Sequence, residues 1–186
     1  MASNQTKRTW KENFKKETSP ETRDKICEKL KQITKSKEGL SSQFLNAVLK
    51  PLPCFIGIYP QDCIPNLSSI NLPCFIIVNT ALSTETDGHW IGIGIFEKSI
   101  EIYDSLGMNS EFWTREPYFL LSFIKRYNTT HRIFISPVLQ NPNSNLCGFY
   151  SLFFILSREF THFNFLLSLF TTDLSLNDLL LIDFLV

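Results

Sequence analysis

Residues 88–107 read GHWIGIGIFEKSIEIYDSLG, two strand-like runs joined by a short turn. From His89 to Phe96 the residues alternate. His89, Ile91, Ile93 and Ile95 share one face, and Trp90, Gly92, Gly94 and Phe96 the other, which is the period of a β-strand. Glu97-Lys98-Ser99 supplies the turn and Ile100–Tyr103 the return strand, closed by Asp104-Ser105-Leu106-Gly107, a good turn sequence. A hairpin centred near Glu97–Lys98 brings His89 and Asp104 to the same end of the ribbon. Alternation groups Asp104 with Ile100 and Ile102, so the two side chains share a side if the faces correspond. A carboxylate placed there accepts from one imidazole nitrogen, fixes the tautomer and leaves the other nitrogen for a second partner. Gly92 and Gly94 are not a dinucleotide fingerprint, because no helix follows them. They admit a close neighbour on that face.

Working outward, Cys74–Asn79 (CFIIVN) is a further strand, preceded by a proline-containing loop, 52–72, with a short extended piece at Cys54–Tyr59. Ser19-Pro20-Glu21 starts a helix, with proline at its first position, that runs through Ile26, Leu30 and Ile33 towards Gly39. A second helix spans Ser41–Leu49 and stops at Pro51 and Pro53. Residues 1–20 read as a flexible charged N-terminus and 21–186 as one domain. After the hairpin, a helical stretch covers Glu111–Tyr127, with Pro117 forcing a break or a fresh start. Arg132–Leu139 is a strand, placed at an edge or bulged by Pro137. A polar loop, 140–146, leads to Cys147, then an apolar helix, Gly148–Phe160, and one or two more helices. Helices, a consecutive sheet and helices again make an α+β fold.

The chain has 186 residues of which 44% are hydrophobic, enough for one packed core and against a disordered chain. Its net charge is zero, but residues 1–40 hold eleven Lys/Arg against six Asp/Glu. Such a head can make weak contact with nucleic acid or an acidic partner. The glutamates interleaved through it and its few aromatics favour a solvated surface instead. Five cysteines, an odd number without a CxxC pair, argue against a zinc cage or disulfide framework and for reduced thiols in an intracellular setting. No apolar leader opens the sequence. Asp173, Asp178 and Asp183 interrupt the apolar C-terminus, which excludes a membrane span there. No phosphate-binding loop, zinc-helix motif or calcium loop is present, so neither cofactor nor metal is expected. His131 and His162 lack partners at ligand spacing and read as ordinary surface or half-buried residues; Cys54, Cys63 and Cys74 read as packed thiols.

Cys147 stands apart. It follows a polar loop and opens a helix, where exposed N–H groups carry partial positive charge. A thiol is a nucleophile only as thiolate, and both that position and a protonated imidazole lower its pKa. Gly148 beside it leaves room for a substrate backbone. Gln140, seven residues earlier, carries an amide able to donate to an oxyanion together with the Cys147 N–H.

GHW followed by a hairpin, then YDSLG, then Q-x-P-N-S-x-x-C-G resembles the adenovirus protease (adenain) and its relatives in polinton (Maverick) transposons. The wider clan holds the ubiquitin-like-protein proteases, those that cleave SUMO among them. FIGIYPQDCIP and PCFIIVNT, upstream, resemble the polinton-type enzymes, and the similarity covers about residues 55–160. It implies a papain-like cysteine protease fold, a central mixed sheet flanked by helices, with the chain order His, Asp or Glu, Cys. The implied roles are His89 as base, Asp104 as its orienting acid, Cys147 as nucleophile and Gln140 as oxyanion donor, with Trp90 as a packing residue. Asp104 stands where adenain has a glutamate and the SUMO-type enzymes an aspartate. The implied activity is a monomeric cysteine endopeptidase that processes virus-like or transposon-encoded structural proteins in cytoplasm, nucleus or virion. Two alternatives remain: a protease that removes ubiquitin-like modifiers, and a catalytically silent, peptide-binding or capsid-associated protein of the same fold.

Overall fold

A computed structural model describes residues 4–36, 38–66, 70–108, 118–128 and 130–186. Three helices come first: α1 (Asn4–Glu17), α2 (Pro20–Ser36) and α3 (Ser42–Leu49). Strands β1 (Phe55–Pro60), β2 (Cys74–Asn79), β3 (Trp90–Ile95) and β4 (Ser99–Tyr103) follow, with α4 (Tyr118–Asn128) leading to β5 (Arg132–Ile135). Helices α5 (Cys147–Arg158), α6 (Phe163–Ser168) and α7 (Leu174–Leu185) finish the chain. The strands lie in the order β1-β2-β3-β4-β5, antiparallel in the middle and parallel at both margins, so the fold is α+β around a mixed sheet.

Local chemistry explains the boundaries. Ser41 caps α3 by accepting from the Phe44 N–H at 3.3 Å, and Asp173 caps α7 by accepting from Leu176 N–H at 3.1 Å. Ser19 does the same for α2 through Thr22, with Pro20 as the first helical residue. The strand expected to reach Leu139 stops at Ile135, short of Pro137, and this β5 lies at the sheet margin. The helix expected from Glu111 is described from Tyr118 onward; Pro117 lies outside the described residues.

Both faces of the sheet are covered. Ile91, Ile93 and Ile95 of β3 pack with Ile76, Val78, Ile100 and Ile102 under Leu120 and Phe123 of α4. On the opposite face lies α5, buried over ten consecutive residues from Gly148 to Ser157, which is why its sequence is apolar all round. The β3 glycines sit on that side: a Cβ at Gly92 would lie 2.8 Å from Phe154 Cδ1, and one at Gly94 2.9 Å from Phe75 Cε1. Tyr103 stacks on Phe154 with ring centroids 4.9 Å apart. At the far end of α5, Arg158 holds Glu101 through two hydrogen bonds of 2.7 and 3.2 Å and lies over the Phe96 ring.

The flexible N-terminus expected over residues 1–20 is corrected. Residues 4–17 form a helix, and Trp10, Phe14 and Thr18 are all buried. Their spacing of four puts them on one face. Trp10 packs on Phe153 and Phe184, 5.0 Å from each ring, and its indole N–H donates to Ser157 Oγ at 3.1 Å. The opposite, basic face is partly engaged within the chain, Arg8 with Glu12 and Lys11 with Asp183. Among the described residues no helix is long and apolar enough to cross a membrane.

Candidate active site

The last register pair of β3 and β4 is Gly92 with Tyr103, so His89 and Asp104 emerge just beyond one end of the hairpin. They meet there: His89 Nε2 lies 2.7 Å from Asp104 Oδ1, with both side chains buried. An ionised carboxylate only accepts, so the proton between them sits on Nε2 and Nδ1 faces elsewhere. The same Oδ1 accepts from Leu106 N–H at 3.0 Å, while Ser136 Oγ ties down the Asp104 backbone, accepting from its N–H at 2.9 Å and donating to its carbonyl at 2.8 Å. On the other side, Thr80 holds the His89 backbone, its Oγ1 accepting from the His89 N–H at 2.9 Å. Gly88 is required for this approach, because a Cβ there would fall 1.8 Å from Asn79 Oδ1 and 2.8 Å from Ala81 N.

Cys147 reaches the same imidazole from the first turn of α5. Leu146 precedes it and offers no side-chain cap, so the opening amides of the helix stay available to the sulfur. Burial opposes the thiolate, yet hydrogen bonding and charge from His89, with the Trp90 and Gly148 N–H groups, outweigh it and lower the Cys147 pKa. Burial likewise opposes the imidazolium, and Asp104 and Cys147 together reverse that, raising His89 to about 9. The contrast with other thiols is plain. Burial, reinforced by a hydrogen bond to Glu159, pushes Cys54 up to about 12, and burial alone raises Cys74 to about 11. Cys63 is exposed, not packed as the sequence suggested.

His89, Gln140 and Cys147 open onto one cleft of about 1010 Å³, which Leu40, Tyr59 and Trp90 also line; Asp104 stands behind the ring. Gln140 is fully buried and held at both ends, its Oε1 accepting from Ser105 Oγ at 2.7 Å and its Nε2 donating to the Ser144 carbonyl at 2.7 Å. Trp90 packs as expected and also donates its indole N–H to the Leu40 carbonyl at 2.9 Å. The role expected for Gly148 needs correction. A Cβ there would lie 2.8 Å from Leu40 Cβ, so the glycine makes room for Leu40 and not for a substrate backbone.

Sequence reading missed the supports behind these residues. The carbonyl of Leu139 accepts from Asn177 Nδ2 at 3.0 Å, and the single Tyr150 Oη proton is shared between that carbonyl at 3.2 Å and Asp178 Oδ1 at 2.9 Å. Through them α7 braces the loop that carries Gln140. The available signal was the adjacent pair Asn177 and Asp178, polar residues that interrupt a largely apolar helix. Among the described residues no cluster of side chains could hold a metal ion.

Residues 74–163 match the family model described as the Ulp1 protease family, C-terminal catalytic domain. That span runs from β2 to the start of α6 and contains His89, Asp104, Gln140 and Cys147. No curated protein matches the chain in sequence. A mixed sheet backed by a buried helix, a lowered thiol at that helix's first residue and the matched catalytic domain lead to one assignment: the chain is a cysteine peptidase whose residues 74–163 are similar to the Ulp1 catalytic domain.

Proposed function

We propose that Cys147, His89 and Asp104 act as a catalytic triad and Gln140 as an oxyanion donor in peptide-bond hydrolysis. The Cys147 thiolate attacks the scissile carbonyl carbon, and the oxyanion so formed accepts from Gln140 Nε2 and the Cys147 backbone N–H. Collapse expels the amine, which takes its proton from the His89 imidazolium, and leaves a thioester. Neutral His89 then deprotonates water, which attacks the thioester, releases the carboxylic acid and restores the thiol. Asp104 keeps the ring in the required tautomer throughout. The observation that carries this reading is the buried 2.7 Å contact of His89 with Asp104, on a ring that is raised while the Cys147 thiol is lowered.

The substrates are extended polypeptides with a small residue such as glycine before the cut, and the role is maturation of virus-like or transposon-encoded structural proteins inside the cell. The polinton-like segments FIGIYPQDCIP and PCFIIVNT support that role. The match to the Ulp1 family favours a second reading, removal of a ubiquitin-like modifier. Incubation with a modifier conjugate and with an unconjugated capsid-type polypeptide separates the two.

Alkylation tests the chemistry. At neutral pH, iodoacetamide is expected to label Cys147 at least about tenfold faster than the other four cysteines, the advantage that a lowered thiol pKa confers. His89→Ala is expected to erase that lead. Equal labelling of all five cysteines in the unsubstituted protein would defeat the proposal.

A further inference from the structure

The turn after β4 places Ser105 next to Asp104, and Ser105 is 1% exposed. Its carbonyl accepts from the N–H groups of Leu139 and Gln140, both at 2.8 Å. Its hydroxyl donates to Gln140 Oε1 at 2.7 Å, while the far end of the same amide donates from Nε2 to the Ser144 carbonyl at 2.7 Å. The two contacts are chemically distinct. A carbonyl can only accept, so Ser144 demands the NH₂ end of the amide, and the oxygen end then needs a donor, which Ser105 supplies. The amide is thereby clamped in one of its two flipped orientations, and one of the two Nε2 hydrogens remains uncommitted to Ser144. A donor on Oε1 also draws electron density from nitrogen, which makes that remaining N–H a stronger donor.

We infer that Ser105 is a positioning residue for the oxyanion site: with the Ser144 carbonyl selecting the NH₂ end of the Gln140 amide, the Ser105 hydroxyl anchors the opposite, oxygen end and polarises the amide. The consecutive residues Asp104 and Ser105 then orient the two halves of the machinery, one through the imidazole and the other through the amide. The inference rests on the catalytic reading above and adds a member to it.

Alkylation and hydrolysis separate its failure from that of the underlying reading. Attack of the Cys147 thiolate on the methylene carbon of iodoacetamide expels iodide and forms no oxyanion, whereas attack on a peptidyl-Gly-Gly aminomethylcoumarin amide does. Ser105→Ala is therefore expected to lower kcat for that amide about ten- to a hundredfold, with KM and the alkylation rate of Cys147 unchanged. In a Gln140→Ala background the same substitution is expected to have no further effect, because it acts through the amide. If the alanine variant does not fold, Ser105→Gly in the same turn carries the same expectations. Wild-type kcat in the serine variant, an equal loss in the Gln140→Ala background, or alkylation that slows in step with hydrolysis would overturn the inference alone. An unsubstituted protein whose Cys147 is not singled out by iodoacetamide would overturn the catalytic reading with it.

Discussion

At Cys147 two opposing influences meet, and their balance sets a pH range. Burial favours the neutral thiol, while His89 and the amides of Trp90 and Gly148 favour the thiolate more strongly, so the sulfur ionises below the ordinary thiol range. His89 keeps its proton up to about 9 because Asp104 and Cys147 outweigh its burial. The thiolate–imidazolium pair therefore exists above the lowered thiol pKa and is lost as pH rises through the imidazole value. A plot of kcat/KM against pH is expected to rise on the acid side as the thiol ionises and to fall near pH 9. Both limbs belong to the coupled pair and not to either residue alone. Asp104→Asn, which removes the charge that helps raise His89, is expected to move the alkaline limb downward. An alkaline limb that stays in place in this variant contradicts the role given to Asp104.

Among the elements, α1 shows how much a few residues can decide. Its stretch is strongly polar, yet Trp10 and Phe14 lie on one face, stack on each other at 4.8 Å and enter an aromatic cluster with Phe153 and Phe184. That cluster surrounds the distal half of α5, the helix that opens with Cys147. Trp10→Ala is expected to cost about 3–5 kcal/mol of stability, the range for emptying a large aromatic from a core. Urea unfolding followed by circular dichroism measures it as a lower midpoint with an unchanged slope. A loss below about 1 kcal/mol, typical of surface changes, would mean that α1 does not dock in solution. The helix escaped sequence reading because two aromatics among seven charges give a weak pattern until a partner surface is known.

On the scale of the whole molecule, the cleft draws on segments far apart in the chain, and the matched span 74–163 contains only part of what supports it. Outside it lie β1, which pairs the outer side of β2, then Leu40 against Gly148, and Asn177 and Asp178 behind the Gln140 loop. Expressed alone, residues 74–163 are expected to lack a cooperative unfolding transition, because β2 becomes an uncovered apolar edge and one side of α5 is laid bare. Calorimetry checks this; a sharp transition from the fragment would show the flanking helices to be dispensable.

The strands, the starts of α2, α3 and α5, and the candidate positions His89, Asp104, Gln140 and Cys147 were legible because each depends on local pattern. Alternation marks β3, proline and serine mark α2, and Q-x-P-N-S-x-x-C-G sets the loop before a helix. Local pattern could not show that Gly148 yields to Leu40, that Ser105 grips Gln140, or that Asp178 and Asn177 brace its loop. Those contacts join residues from 35 to 108 positions apart, and which of many polar or small side chains meet is decided only when the sheet and α5 close together. The order His89, Asp104, Gln140, Cys147 is written along the chain, whereas the shifted pKa values of His89 and Cys147 arise from packing, since burial and charge act through space.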